Sequence, residues 1–137
     1  MKYLLLSILF VFPALLFAQV SLDLEKSKVK WTGKKITNSS HWGSLSFKEA
    51  TLDFDGEDLV SGKFIVDMNT MSVDDIQGRG KQRLEGHLRN EDFFDVDNHK
   101  EAILMFNDRV SLTNGVYEIS GSLTITVSYT HLTLPTI

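Results

Sequence analysis

The chain has 137 residues, 42% hydrophobic and 23% charged, which allows one folded domain and excludes a disordered polar chain. Its net charge is −4, and its basic residues are scattered apart from Lys34-Lys35 and an Arg79, Lys81, Arg83 group offset by Asp74, Asp75 and Glu85. No basic stripe exists to supply the phosphate attraction that dominates nucleic-acid affinity, and the lack of cysteine removes disulfides, thiol nucleophiles and an N-terminal lipidated cysteine.

Residues 1–18 read as a secretory signal: Lys2 gives the positive start, 3–17 an apolar run broken by Pro13, and Ala18-Gln19 a cleavage point. The run is shorter than the roughly 20 residues that a spanning helix needs, so no stable membrane span is expected after cleavage and the chain should be periplasmic or secreted. Residues 28–32 alternate polar and apolar around Val29 and Trp31, the pattern of a half-buried strand. Residues 34–40 are polar and turn-like. Two more strands follow at 43–47 and 50–54, with Leu45 and Phe47 on one face, then Leu52 and Phe54. Asp55-Gly56 marks a tight turn into a longer strand from 59 to 68. There Phe64, Val66 and Met68 share one face and Lys63, Ile65 and Asp67 the other, as a sheet with one solvated side requires.

The pattern breaks at Asn69. A short helical insert is expected over 81–89, with Leu84 and Leu88 on one face, Ser72, Asp74 or Asp75 as candidate caps, and Gly78, Gly80 and Gly86 weakening it. Phe93, Phe94 and Val96 form an apolar knot among acidic residues. Residues 102–106 resume the strand pattern with Ala102, Leu104 and Phe106 inward, and 110–125 reads as a hairpin around Asn114-Gly115.

Several blocks in this order carry a resemblance: Trp31-Thr32-Gly33, His41-Trp42-Gly43 leading to Phe47, the run from Gly62 to Asp67, Leu84-Glu85-Gly86-His87-Leu88, Asp92-Phe93-Phe94-Asp95-Val96, and the run from Gly121 to Ile125. Together they resemble the YceI-like family of polyisoprenoid-binding periplasmic proteins, over about residues 22–125. Lys100 departs from the proline that many relatives carry after the Asp-Phe-Phe-Asp-Val block. The resemblance implies a mainly β fold, a lipocalin-like antiparallel β-barrel incomplete at the C-terminus, enclosing an isoprenoid or similar amphiphile. The segment 127–137 resembles a forward translation of a transposase sequencing adapter. It is therefore read as a non-native tail, giving a domain over 19–126 whose last strand, ending near Ile125, is left with an open edge.

One-sided apolar strands without a catalytic constellation suit a protein that holds something. The candidate lining is Trp31, Phe47, Leu52, Phe54, Phe64, Val66, Leu104 and Phe106, each of which also suits a packed core. His41 and His87 are candidates for a polar head group, with Arg89 a charged alternative. No histidine pair has zinc-motif spacing, the 95–98 segment lacks the glycine of a calcium loop, and no Gly-x-Ser-x-Gly elbow occurs, so neither a metal nor another cofactor nor catalysis is expected. A hydrolase or isomerase working on a small amphiphile in the same cavity is the alternative. A homodimer is open.

Overall fold

Seven strands form one antiparallel sheet. The computed structural model describes residues 18–20, 22–35, 37–126 and 128–136; the leader read at 1–18 lies outside them except for Ala18. The elements are β1 (Ala18–Val20), β2 (Lys28–Lys34), β3 (Ser40–Asp55), β4 (Asp58–Val73), α1 (Gly78–Arg89), β5 (Glu101–Phe106), β6 (Tyr117–Ile125) and β7 (Ser128–Thr136). Strands β3 to β7 lie side by side in sequence order, while β2 and β1 share the outer edge of β3, along 40–46 and 52–54 respectively. The sheet curls into a half-barrel with one short helix, an incomplete lipocalin-like barrel. No pairing joins β7 to β1 or β2 among the described strands, so the sheet stays open. The edge of β6 is covered, contrary to the sequence reading, because β7 pairs with it from Tyr117↔Thr136 to Ile125↔Ser128.

The two longest strands set the shape. β3 is a single strand of 16 residues where the alternation suggests two. Leu45 and Phe47 face the core from odd positions, Ala50, Leu52 and Phe54 from even ones. The change falls at Lys48, where pairing steps from Phe47↔Val66 to Glu49↔Ile65. One residue left out of the ladder is a β-bulge, which bends the strand and re-aims the side chains beyond it.

β4 also outruns its expected end at Met68, continuing to Val73. Phe64, Val66 and Met68 point inward as the alternation requires; after an irregularity at Asn69 and Thr70, Met71 and Val73 do so from odd positions. The Asn69 N–H donates to the Asp67 carboxylate at 2.9 Å, and the Thr70 hydroxyl donates to the Asp67 carbonyl at 2.7 Å while accepting the Ser46 N–H at 2.8 Å. Residues that look like a strand end thus satisfy backbone groups freed by the bulge. The outer face is not wholly polar, since Ile65 is buried between its partners Glu49 and Ile103.

β5 buries Ala102, Leu104 and Phe106 and exposes Met105, the inward set expected. Asn114 and Gly115 both take positive φ, 53° and 77°, as a type I′ turn demands. The hairpin is shorter than expected, because it closes only at Thr113↔Val116 and Val110 bridges Leu59 instead of β6.

The inward side chains form two clusters joined at Phe47. The helix-end cluster holds Leu45, Val66, Met71, Val73, Leu88 and Val96. The turn-end cluster holds Leu52, Leu59, Phe64, Leu104, Phe106 and Ile119.

Candidate functional site

Helix α1 docks on the end of β4, opposite Gly43 of β3. A Cβ on Gly43 would lie 1.8 Å from the Ser72 carbonyl oxygen, so no larger residue fits between the strands. The same carbonyl accepts the Trp31 indole N–H at 3.1 Å, tying β2 to the end of β4. This gives the Trp31 and Gly43 blocks a structural reason. From the helix, Glu85 accepts the Val73 N–H at 2.9 Å, and the Arg89 guanidinium donates to the Met71 carbonyl at 2.6 Å. Arg89, read as a possible head-group contact, is therefore a clamp between helix and strand. The segment after the helix folds back on it: Phe94 N–H donates to Leu88 O and Val96 N–H to Arg89 O, which buries Val96.

Ser72, Asp74 and Asp75 do not cap α1; Gln77 stands at the cap without a side-chain bond. Instead, Asp74 accepts the hydroxyls of Ser72 and Ser44 at 2.6 and 2.7 Å, and these bonds hold its carboxyl below the usual carboxylate range. Asp75 faces two opposing influences. Burial pushes its carboxyl up, yet hydrogen bonds from His41 and from backbone N–H groups outweigh that and leave it lowered. Its Oδ2 lies 2.9 Å from His41 Nδ1, fixing the ring, while its Oδ1 is buried without a hydrogen-bond partner.

A cleft of about 520 Å³ opens beside this seat, lined by Lys35, His41, Ile76, Gly80, Arg83, Leu84 and His87. Lys35 reaches it from the β2–β3 turn, which is closed by Lys35 N–H to Ser39 O and Asn38 N–H to Lys35 O. Arg83 and His87 are one turn apart on α1, and Phe93 packs against the His87 ring at 5.9 Å. Ile76 and Leu84 form its apolar floor and pack on the helix-end cluster.

The residues expected to line a ligand site fall in three places. Leu52, Phe54, Phe64, Leu104 and Phe106 belong to the turn end, where Phe64 meets Phe47 at 5.4 Å and Phe106 at 6.2 Å between ring centroids. Val66 and Trp31 belong to the helix end, with Phe47 bridging the two. His41 and His87 share the cleft outside both. The sequence reading missed Lys35 and Arg83; only the four-residue step from Arg83 to His87 on a helix hinted at one of them. Among the described residues, no three His, Asp or Glu side chains come together as a metal would need.

An antiparallel half-barrel with one apolar face and a helix seated across its end is the frame of a lipocalin-like protein. The model of the YceI-like domain family matches residues 21–136, and the chain belongs to that family. The match runs through the segment read above as adapter-derived. No curated protein matches closely enough to stand as a relative.

Proposed function

We propose that the protein binds an isoprenoid-type lipid or similar amphiphile against the inner face of the half-barrel, without covalent chemistry, after export to the periplasm or the cell exterior. Membership in a generally polyisoprenoid-binding family supports the ligand class. The observation that carries the reading is the state of the inward side chains. Leu52, Phe64, Val66, Leu104 and Phe106 are buried, but Trp31, Phe47, Phe54, Tyr117, Leu123 and Ile125 on the same face are only half-buried. They offer an apolar surface that is not used up by the core. Covering it with a prenyl chain contributes about 25 cal/mol per Å² before association costs. On this reading Trp31, Phe47 and Phe54 meet the ligand first, and the buried members of the set support them.

The hydrolase or isomerase reading finds less support. The hydroxyls of Ser44, on the strand that carries His41, and of Ser72, on the strand that leads to Asp75, both donate to Asp74 and so are not poised on His41. Native mass spectrometry of gently purified protein, followed by titration with a prenyl alcohol, tests the proposal. A co-purifying amphiphile, or uptake of the alcohol, is the expected result. Protein that is empty and takes up none overturns it.

A further inference from the structure

We infer that the cleft between α1 and the β2–β3 turn binds a phosphate-class anion, mono- or diphosphate, the chemistry shared by a prenyl phosphate head group and by free phosphate. The link to a lipid rests on the function proposed above; the anion site itself does not.

The protein is acidic overall, and several cations are neutralised in pairs: Lys26 with Asp23, Lys48 with Glu101, Lys81 with Glu85, and Arg109 with Asp55 and Asp58. Lys35 and Arg83, like Lys34, Lys63, Arg79 and Lys100, make no side-chain ion pair or hydrogen bond among the described residues, and these two line one cleft together. The two acids nearby are committed elsewhere. Asp75 is held by His41, and Glu85 turns toward the Val73 N–H and Lys81. The first turn of α1 has no acidic residue and no side-chain cap, so the positive end of the helix dipole beside the cleft is not offset either. Two imidazoles complete the set: His41, oriented by Asp75, and His87, braced by Phe93. Donors from the β2–β3 turn, the start of β3 and one face of α1 line the same opening, and an anion with several acceptor oxygens and more than one charge can use them together. Ile76 and Leu84 line the cleft and pack on the helix-end cluster, so apolar surface adjoins the cations.

Calorimetric titration of the full chain with sodium pyrophosphate, farnesyl diphosphate and farnesol, at fixed ionic strength, tests the inference. Pyrophosphate should bind. A Lys35→Gln, Arg83→Gln double variant should weaken pyrophosphate and farnesyl diphosphate about tenfold while leaving farnesol unchanged. The charge-matched control Lys34→Gln, Arg79→Gln should leave all three unchanged. Absence of pyrophosphate binding, or an equal loss in the control, overturns the anion site, and farnesol uptake then leaves the lipid reading standing. Conversely, pyrophosphate binding that responds to the double variant, with no uptake of either prenyl compound, supports the anion site and removes the lipid reading. Farnesyl diphosphate binding more tightly than pyrophosphate identifies the lipid head group as the source; equal affinities identify free phosphate.

Discussion

The two ends of the half-barrel finish the same apolar face in different ways. At the turn end, rings pack on rings: Phe47, Phe64 and Phe106 follow one another, Phe54 meets Tyr117 edge-on, and Arg109 ties Asp55 to Asp58. At the helix end the buried side chains are aliphatic or methionine, and a separate element is brought in as cover. Its seat is polar, built from Glu85, Arg89 and the Trp31 indole on backbone groups of β4. The surface left at the turn end is apolar, with Phe54, Tyr117 and Leu123 half-buried. An end closed by a docked helix leaves a seam, and the cationic cleft lies in that seam.

Substitutions can break this contrast. Phe64→Ala should cost most, about 4 kcal/mol, because a buried ring in contact with two others leaves a cavity that the rigid sheet cannot close. Urea denaturation checks it, and a loss no greater than that of Leu88→Ala would contradict the denser turn end. Gly43→Ala should cost about 3 kcal/mol by forcing β3 away from the Ser72 carbonyl, and should also release the Trp31 indole, seen as a change in its fluorescence. Glu85→Ala should cost about 2 kcal/mol by leaving the Val73 N–H without its partner, with faster hydrogen exchange at Val73 as its local signature.

A smaller effect concerns acid. Asp74 has its carboxyl lowered by the Ser72 and Ser44 hydroxyls, so its charged form favours the folded chain. That stabilisation is complete above the ordinary value of 3.8 and disappears as pH falls through the lowered native value. Asp74→Asn should therefore flatten the acid limb of a stability-against-pH curve; an unchanged limb would assign the acid loss to other carboxylates. Smallest of all, Arg109→Ala should leave the denaturation midpoint unchanged within error, since its ion pairs are exposed to solvent.

Much of the sheet was legible from alternation alone. The inward sets of β4 up to Met68 and of β5, and the Asn114-Gly115 turn, follow from period-two patterning and positive-φ chemistry. The continuity of β3 was not, because a bulge at Lys48 is indistinguishable in sequence from two strands meeting at a turn. Residues 69–75 misled for a related reason. Asn69 and Thr70 resemble a strand end but bond back to Asp67 within a continuing strand. Ser72, Asp74 and Asp75 resemble helix caps but are taken up by one another and by Ser44 and His41 of β3. The candidate site was half legible. His41 and His87 stand out as rare side chains in quotable blocks, whereas Lys35 and Arg83 are ordinary surface cations until the fold places them around one opening.

The single unpaired residue at Lys48 has a consequence for how such a chain tolerates change in length. It works as a phase shifter: upstream of it odd-numbered side chains serve one cluster, downstream even-numbered ones serve the other. Substitutions at Lys48 should be mild, and excising it should straighten β3 while leaving Phe47, Ala50, Leu52 and Phe54 inward, because Phe47 and Glu49 would then follow one another in the ladder. A one-residue deletion at this point thus costs the bend and spares the face pattern, whereas a one-residue change in length elsewhere in β3 reverses a face unless the bulge moves to absorb it.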